Sequence, residues 1–404
     1  MADTLVQNLV DQNERRGFLF GPYWSDINTA VILFLDNQSD LHFARTTDKG
    51  ASWSDTQIEA GSVVCGACWY DKETPGDTGT LVHIAWLDDS GEDAKYVTLD
   101  VATGVVGTIR TVDATTGSTS GPNFNRVAIT KTVNGNIIYA YSTNGPAIEC
   151  FKSSDNFATA GTDIADVFES GTEEDWVLLY PADVDAGDAI AFFWDRSANE
   201  ITVKEYDDSA NTWTERSLAT SMTDDDIYIN YDASVRHSDS HVLLAAHSNH
   251  NNTTDDLRTF DVNVSSFPIS VTAKTDVFTN QNGAAQVSVF IDQNTDDVYI
   301  AYLKGGTWEA SVNLVFHKST DGMGVWGAEQ AYSQSGDDHR LLHAGRIAST
   351  DGGRYQPAFY DDDDIDIFVN LVNAIEIAAA AAAGLVGRRA VGRGIGRGIQ
   401  RGVM

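Results

Sequence analysis

Short, almost entirely apolar runs recur along the chain at a nearly constant interval. Each run is bounded by segments rich in Asp, Asn, Ser and Gly, and successive runs begin 50 to 58 residues apart. Their length and their content of β-branched and aromatic residues predict buried β-strands. The seven runs are Val31–Leu35, Leu81–Trp86, Ile137–Tyr141, Ala189–Trp194, Val242–Ala246, Val298–Tyr302 and Gln356–Tyr360.

Each apolar run is one part of a longer repeating unit. Another strand precedes it, and an alternating strand, an Asp-containing turn and an outer strand follow it. A period of this length with four strands is typical of propeller blades. The pattern therefore predicts an all-β protein in which residues 18–370 form a seven-bladed β-propeller. A six-bladed ring with one unit outside it is the alternative.

The seventh unit has too few strands to complete a blade. Gly345–Ala348, Pro357–Tyr360 and Ile365–Val369 supply three strands, and no fourth follows them. An exposed sheet edge is costly. We therefore expect residues 1–17 to close the ring, with Thr4–Val10 as the outer strand of the last blade.

The turn after the third strand of the first unit carries the motif Thr46-Thr47-Asp48-Lys49-Gly50-Ala51-Ser52-Trp53. Asp48 can accept hydrogen bonds from backbone N–H groups of a tight turn, Gly50 can adopt a positive φ, and Trp53 can start the returning strand. This motif resembles the Asp-box of the bacterial neuraminidase repeat family, which occurs in sialidase-like and related β-propellers. The resemblance likewise implies a propeller.

Three later units keep parts of the motif. Ser153 and Asp155 retain the Ser and Asp without the glycine, and Ser319, Asp321 and Trp326 retain Ser, Asp and Trp with the glycines displaced. Tyr206–Trp213 retains only an Asp-to-Trp hairpin of similar size. The resemblance thus covers roughly residues 18–370, with one good motif and three eroded ones.

The charge of the chain restricts its partners. The formal net charge is -33 and the sequence pI is about 4.3. Nucleic acid is therefore not expected to bind the propeller body, since phosphate binding needs the opposite sign. Sialic acid or another acidic ligand would need a local basic pocket. Abundant Asp and scarce lysine indicate a halophilic or marine source, with an ordinary acidic soluble protein as the alternative.

The N-terminal residues and the cysteines bear on localisation. The chain opens without a basic region followed by an apolar run, so no signal peptide is expected. A location on a virion or an extracellular surface would then require another route, such as release inside a virus particle. Cys65 and Cys68 would point to opposite faces of a strand, so these two and Cys150 are expected to be small buried residues.

The character of the sequence changes after Asn370. Residues 371–404 contain six consecutive alanines, Ala378–Ala383, and then a Gly/Arg-rich stretch with an arginine at every fourth position. We interpret this segment as a helical or extended tail that packs against copies of itself or a neighbouring subunit. A membrane anchor and a disordered basic tail are the alternatives, and the tail could also dock on an acidic surface or packaged nucleic acid. The candidate attachment residues are Arg389, Arg393, Arg397 and Arg401.

Three arginines are the candidate ligand-binding residues. Arg126, Arg236 and Arg346 occupy early positions of the third, fifth and seventh units, at intervals of 110 residues. Sialidase-like enzymes clamp the substrate carboxylate with an arginine cluster and use a Tyr/Glu pair and an Asp in catalysis, so the resemblance implies an analogous role. Ion pairing to neighbouring Asp is the competing interpretation.

The sequence also departs from a working sialidase. The Arg-Ile-Pro motif that opens a sialidase domain is missing, and spacing does not assign a Tyr/Glu pair, although Tyr180 lies near Glu173 and Glu174. No catalytic residue is therefore assigned, and the chain is not expected to be an enzyme.

No cofactor or metal site is expected. Calcium is the one ion that the runs Asp224–Asp226 and Asp361–Asp364 could hold, but they lack the spaced ligands of a dedicated loop, so solvated turns are the favoured interpretation. The histidines from His237 to His250 are close in sequence, yet a strand would separate them, so a zinc site is not expected.

Two functions from different classes remain. The eroded motifs, the missing opening motif and the tail favour a non-catalytic recognition and assembly module, a virion or surface structural protein. Its propeller would bind a glycan or protein receptor, and its tail would attach it to partner subunits, to itself or to a membrane. The alternative is a sialidase-like glycoside hydrolase, in which the arginines would converge with an Asp and a Tyr/Glu pair.

Overall fold

A computed structural model of the chain gives the architecture. It describes residues 3–7, 18–61, 63–114, 127–142, 147–168, 177–195, 198–220, 222, 231–249, 254–281, 283–304, 313–333, 339–343, 345, 352–361, 366–371 and 373–377. Nearly all of the regular structure is antiparallel β-sheet.

Seven sheets of antiparallel strands follow one another in the chain and form the blades of a propeller. We label the strands of each blade A to D from the channel outward. The A strands are Leu19–Trp24, Val63–Tyr70, Val127–Lys131, Val177–Pro181, Tyr231–Arg236, Gly283–Asp292 and His339–His343. The B strands are Ala30–Leu35, Leu81–Asp88, Ile137–Tyr141, Ala189–Asp195, His241–His247, Asp297–Lys304 and Ala358–Asp361.

The outer half of each blade is built in the same way. The C strands are Leu41–Thr46, Asp93–Asp100, Ala147–Ser153, Glu200–Asp207, Asp255–Asn263, Asn313–Ser319 and Asp366–Val369. The D strands are Ser54–Glu59, Arg110–Asp113, Thr162–Phe168, Thr212–Thr220, Ser270–Ala273, Gln330–Ala331 and, for blade 7, Thr4–Gln7.

The seven predicted apolar runs are the seven B strands, which confirms the seven-bladed ring over the six-bladed alternative. The N-terminal closing strand is also confirmed. Thr4–Gln7 pairs antiparallel with Asp366–Val369, with Thr4 opposite Val369. The ring therefore closes by joining the two ends of the chain in one sheet.

The predicted A strand of blade 7 was wrong. The strand that pairs with Ala358–Asp361 is His339–His343, whereas the prediction placed it at 345–348. Gly345 follows the strand with φ +73°, a left-handed conformation that turns the backbone out of the sheet. Residues 346–348 lie outside the described residues.

Three further elements lie outside the four-stranded blades. Phe278–Gln281 adds to strand C of blade 5, and Asp71–Glu73 forms a single 3₁₀ turn. Gly353–Tyr355 pairs with Ile375–Ile377 in a separate two-stranded sheet. The segment predicted as a tail therefore begins as a strand, and residues 378–404 lie outside the described residues.

The hairpins that join A to B and C to D lie at one end of the ring. We call this end the box face, because it carries the Thr46–Trp53 turn; the B–C hairpins and the D–A links form the loop face. Within the described residues, no helix is long and apolar enough to span a bilayer.

The core lies between the blades. All six side chains of Ala30–Leu35 are buried, because neighbouring sheets cover both faces of a B strand, which is why these strands lack polar alternation. Trp24, Trp69 and Trp86 are among the largest fully buried side chains. Burying each large apolar side chain contributes about 1.5–3 kcal/mol, so the stacking of blades supplies much of the stability.

The three cysteines are buried free thiols, as expected. Cys65 and Cys68 belong to two different apolar clusters on either side of their strand. Burial raises the pKa of Cys150 to about 12, which leaves that thiol protonated and inert.

Candidate functional site

The motif turn of blade 1 has the geometry that its residues lead one to expect. The Thr46 hydroxyl donates to Asp48 Oδ1 (2.8 Å) and accepts the N–H of Gly50 (2.9 Å). Asp48 accepts the N–H of Ser52 (2.9 Å) and its hydroxyl (2.6 Å), and these bonds lower the pKa of Asp48. Gly50 has φ +82°, and Trp53 Nε1 donates to its carbonyl (3.1 Å).

The blade 3 turn keeps this pattern without a glycine. The Ser153 hydroxyl donates to Asp155 Oδ1 (2.9 Å) and accepts the N–H of Phe157 (2.7 Å). Asp155 accepts the N–H of Thr159 (3.1 Å). Phe157 takes the left-handed conformation at φ 54°, which a glycine adopts with less strain.

The blade 6 turn repeats the pattern once more. The Ser319 hydroxyl donates to Asp321 Oδ1 (2.8 Å) and accepts the N–H of Met323 (3.0 Å), which has φ 69°. Trp326 Nε1 donates to a backbone carbonyl of blade 5 (2.7 Å). This turn therefore links two blades on the box face.

The fourth hairpin, Tyr206–Trp213, uses different contacts. The rings of Tyr206 and Trp213 pack with centroids 4.9 Å apart, and Asp207 accepts the N–H of Ala210 (3.0 Å). The four hairpins thus stabilise turns on the box face, and membership of the chain in the Asp-box family stays a prediction.

One A–B hairpin extends over the channel on the same face. In blade 2 the residues Asp71–Thr80 separate the two strands, and we call this segment the plug loop. Lys72 Nζ donates to a blade 1 carbonyl (2.9 Å), and the Thr74 hydroxyl donates to a blade 3 carbonyl (2.8 Å). His237 of blade 5 lies with Nε2 3.1 Å from a plug-loop carbonyl. These contacts place the loop across the end of the channel.

A buried network anchors the plug loop at Asp71. His83 Nε2 lies 2.8 Å from Asp71 Oδ1, and His83 Nδ1 lies 2.6 Å from the Tyr96 hydroxyl. Lys131 Nζ donates to Asp71 and lies 2.7 Å from Asp77 Oδ2. Asp71 and His83 are 2% and 0% exposed. The network therefore ties the loop to strands of blades 2 and 3.

Burial and hydrogen bonding set the protonation states of this network. Burial lowers the pKa of His83, so the neutral ring donates from Nε2 to Asp71 and accepts from Tyr96 at Nδ1. Burial opposes ionisation of Asp71, but the hydrogen bonds from His83 and Lys131 outweigh it and lower the pKa of Asp71 to about 2. The anchor thus holds a buried carboxylate at neutral pH.

A cavity of about 180 Å³ opens beside the plug loop. Its walls come from the A–B hairpins of blades 2, 5 and 6. They are Lys72, Gly76, Asp77, Thr78, His237, Gln293 and Asn294. Pockets for drug-sized ligands measure about 300–1,000 Å³, so this cavity suits one small polar unit.

The cavity is lined by polar side chains, and two of them, Lys72 and Asp77, are charged. Burial lowers the pKa of His237, which keeps the imidazole neutral at pH 7. The backbone N–H of His237 donates to Gln293 Oε1 (2.8 Å), which fixes the two hairpins relative to each other.

Asp77 is the one carboxylate among the described lining residues, and it shares Lys131 with Asp71. Lys72 is the one cation among them, and its Nζ donates to a blade 1 carbonyl. The remaining groups are Thr78, Asn294 and Gln293, which can donate and accept hydrogen bonds. The Gln293 amide also donates to the Val235 carbonyl (2.7 Å), which leaves it one amide hydrogen and one oxygen lone pair.

Of the three candidate ligand-binding arginines, the structure describes only Arg236, which does not line this cavity. Arg236 ends strand A of blade 5 and donates to Asp239 through Nε (2.9 Å) and Nη2 (2.6 Å). Burial disfavours its charge, but the hydrogen bonds to Asp239 outweigh this and raise the pKa of Arg236. This is the ion pairing given above as the competing interpretation. Arg126, Arg346 and the tail arginines 389, 393, 397 and 401 lie outside the described residues.

The other candidate residues are also dispersed. Tyr180 is 1% exposed, and its hydroxyl donates to a blade 5 carbonyl (2.6 Å). His241 and His247 lie at opposite ends of one strand, where each contacts its own carboxylate. Asp361 is buried at the end of its strand. Residues 173–174, 224–226, 250 and 362–364 lie outside the described residues.

The sequence analysis missed the residues that form the cavity. Lys72, His237 and Gln293 lie in hairpins that look like ordinary polar turns. The available signal was spacing, because the plug loop places ten residues between two strands that four or five residues join in blades 5 and 3. The meeting of blade 2 with blade 5 follows from ring closure, which no local pattern reveals.

The fold and the site define a class: a seven-bladed β-propeller with a small cavity, lined by polar residues, at the box-face end of its channel. No protein family profile and no curated protein matches the chain. Among solved structures, the BP39L lectin from Burkholderia pseudomallei is similar, with a TM-score of 0.62 and 10% identity, covering 90% of this chain and 99% of that one. AofleA from Arthrobotrys oligospora has a TM-score of 0.50 and 10% identity, covering 82% of this chain and 89% of that one. At such low identity these likenesses show the fold alone.

Proposed function

We propose that the chain is a non-catalytic recognition module that binds a neutral glycan, with the cavity beside the plug loop as its binding site. The observation that carries the proposal is the lining of this cavity. Three blades contribute hydroxyl, amide and imidazole groups to it, and its two described charged residues, Lys72 and Asp77, are of opposite sign.

Sugar hydroxyl groups both donate and accept hydrogen bonds, so a site for them needs both kinds of partner. Thr78, Gln293 and Asn294 supply such groups, and neutral His237 adds another. The net charge of -33 disfavours sialylated and sulfated glycans. The volume suits a single terminal sugar residue. The similar fold of a protein described as a lectin supports a carbohydrate ligand.

A sialidase-like hydrolase is the less supported alternative. Such an enzyme needs an accessible Tyr nucleophile and a free arginine clamp. Tyr180 is buried with its hydroxyl engaged, and Asp239 holds the guanidinium of Arg236 in two hydrogen bonds. These contacts favour recognition without catalysis.

We further propose that the ring is displayed on a virion or cell surface and attached through its C-terminal tail. Ile375–Ile377 pairs at the rim of the box face, and Glu376 contacts Lys49 of the blade 1 turn (3.2 Å). The acidic composition suits exposure to concentrated salt, and the Asp-box resemblance supports kinship with other glycan-related propellers.

The glycan proposal can be tested with the full chain on an array of neutral and acidic glycans, followed by calorimetric titration of the best ligand. We expect a neutral terminal sugar to bind. The double variant Thr78→Val, His237→Gln should weaken its binding at least about tenfold, which corresponds to the loss of about two neutral hydrogen bonds. No binding across the array would overturn the proposal.

Thr56→Val provides a matched control, because Thr56 is exposed on the outer strand of blade 1. It should bind like the wild type. A glycan whose affinity is unchanged in the cavity variant would place the site elsewhere. Turnover of a fluorogenic sialoside or another glycoside by the wild type would contradict the absence of catalysis.

A further inference from the structure

A second cluster of polar side chains lies on the loop face of blade 1, away from the cavity. Asp36 and Asp40 flank the B–C turn, and His42 follows on strand C. One ligand atom from each of these three residues lies within 4.8 Å of the other two. From this cluster we propose a divalent metal site, with Zn²⁺ or a similar borderline ion bound by His42 Nε2 and the carboxylates of Asp36 and Asp40.

The orientation of His42 is the first argument. Its Nδ1 lies 2.9 Å and 3.1 Å from the two oxygens of Asp55. Since a carboxylate only accepts, Nδ1 carries the proton, and a neutral ring then presents its lone pair at Nε2. The ring also stacks on Phe34, with centroids 5.7 Å apart. A carboxylate behind one ring nitrogen is the usual support for a histidine that binds metal through the other.

The surroundings of Nε2 are the second argument. This atom is buried and has no hydrogen-bond partner among the described residues. The nearest carboxylate oxygen is Asp36 Oδ2 at 3.8 Å, too far for a hydrogen bond. Ligand atoms bound at about 2.1 Å to one tetrahedral ion lie about 3.4 Å apart. The pair therefore needs to close by only a few tenths of an ångström to share a metal.

The carboxylates are preorganised with oxygens left for a ligand. Asp36 Oδ1 accepts the N–H groups of Gln38 and Asp40, both at 2.9 Å, which leaves Oδ2 directed toward His42. Asp40 accepts one hydrogen bond at each oxygen, from the Gly61 N–H and the Gln57 amide. Each of its oxygens keeps a further lone pair. The turn thus positions both carboxylates and leaves oxygen lone pairs available to bind a metal.

The charge of the cluster is the third argument. No Lys or Arg pairs with Asp36, Asp40 or Asp55 in the part of the chain that the structure describes. The comparable group around His241 differs, because Arg236 and Lys274 both contact its Asp261. A bound dication would balance the carboxylates of blade 1 as those side chains do in blade 5.

The donor set identifies the class of metal. Imidazole with carboxylates suits Zn²⁺ and neighbouring transition metals, whereas Ca²⁺ prefers six or more oxygen ligands. Three protein ligands leave a fourth tetrahedral position for water. The ion would fasten the B–C turn to strand C and, through the Asp40 bond to Gly61, to the link that leads into blade 2.

The test is a calorimetric titration of Zn²⁺ into the chelator-treated full chain. We expect one ion per chain, with His42→Gln and Asp36→Asn abolishing that site and Asp55→Asn weakening it about 10- to 100-fold. Co²⁺ should give the visible absorption of a tetrahedral N/O site in the wild type and lose it in His42→Gln. Circular dichroism checks that each variant is folded.

His241→Gln is the matched control, since it removes a histidine that contacts two carboxylates beside compensating cations. It should bind Zn²⁺ like the wild type. Absence of stoichiometric binding to the wild type would overturn the proposal. Binding of equal strength in His42→Gln would also overturn it, because the ion would then sit on other residues.

Discussion

Substitution of Asp71 tests whether the buried network holds the plug loop in place. Replacing Asp71 with Asn keeps the size of the side chain and removes its charge. The amide can still accept one hydrogen bond through its oxygen, but its NH₂ group cannot accept the N–H of Leu81, which Asp71 Oδ2 accepts at 3.0 Å. Lys131 also loses one of its two carboxylate partners.

The size of the effect follows from the pKa of Asp71. That pKa falls from 3.8 to about 2 on folding, and each unit corresponds to about 1.4 kcal/mol. Ionisation of Asp71 therefore contributes about 2–3 kcal/mol to the free energy of unfolding. Because the folded pKa is depressed, this contribution is complete above about pH 4 and is lost as the pH falls through about 2.

The assay is urea unfolding of the wild type and Asp71→Asn between pH 7 and pH 2. We expect a stability gap of about 3 kcal/mol at pH 7 that narrows below pH 4, since a protonated Asp resembles Asn. Asp163→Asn, which alters an exposed residue of an outer strand, should leave the stability unchanged at pH 7. A gap that stays constant with pH, or no gap at all, would refute the buried carboxylate as the anchor.

Three further predictions follow. Ser319→Ala should lower the free energy of unfolding by about 1–3 kcal/mol in a denaturant titration, because it leaves the buried N–H of Met323 without its acceptor. Ser265→Ala, at an exposed position, should have little effect. An equal loss of stability in both variants would contradict the turn geometry. Deleting residues 1–7 should lower the free energy of unfolding by on the order of 3 kcal/mol, since Val6 is buried and strand C of blade 7 becomes an edge strand. An unchanged thermal unfolding temperature would refute closure of the ring by this strand. Glycan affinity should change little between low and high salt in calorimetry, because a neutral sugar carries no charge for the lining residues Lys72 and Asp77 to attract. A steep salt dependence would indicate an anionic ligand.

The fold could be predicted from the sequence because each B strand is buried on both faces. Val31–Leu35 and its counterparts are apolar at every position, so seven strands were visible without any knowledge of the tertiary structure. Closure was also accessible, since the missing fourth strand of blade 7 required a partner and Thr4–Val10 was the remaining candidate. The error in blade 7 arose because Gly345 and the residues after it looked like a strand, whereas a positive φ ends the strand before them.

The site was less accessible because its residues come from blades that meet only in the closed ring. The backbone conformations of Phe157 and Met323 were also not evident from the sequence. Both take the left-handed conformation that a glycine takes in blade 1, and the hydroxyl and carboxylate before them impose it. The eroded motifs of blades 3 and 6 were therefore closer in structure to the Thr46–Trp53 turn than their sequences indicated.

The most direct test of the proposed function is a crystal structure of the chain bound to the best neutral glycan from the array. We predict density for one terminal sugar between the plug loop and the hairpins that carry His237 and Gln293, with hydrogen bonds to Thr78 or Asn294. Ordered sugar on the loop face or between two blades, with this cavity empty, would contradict the assignment.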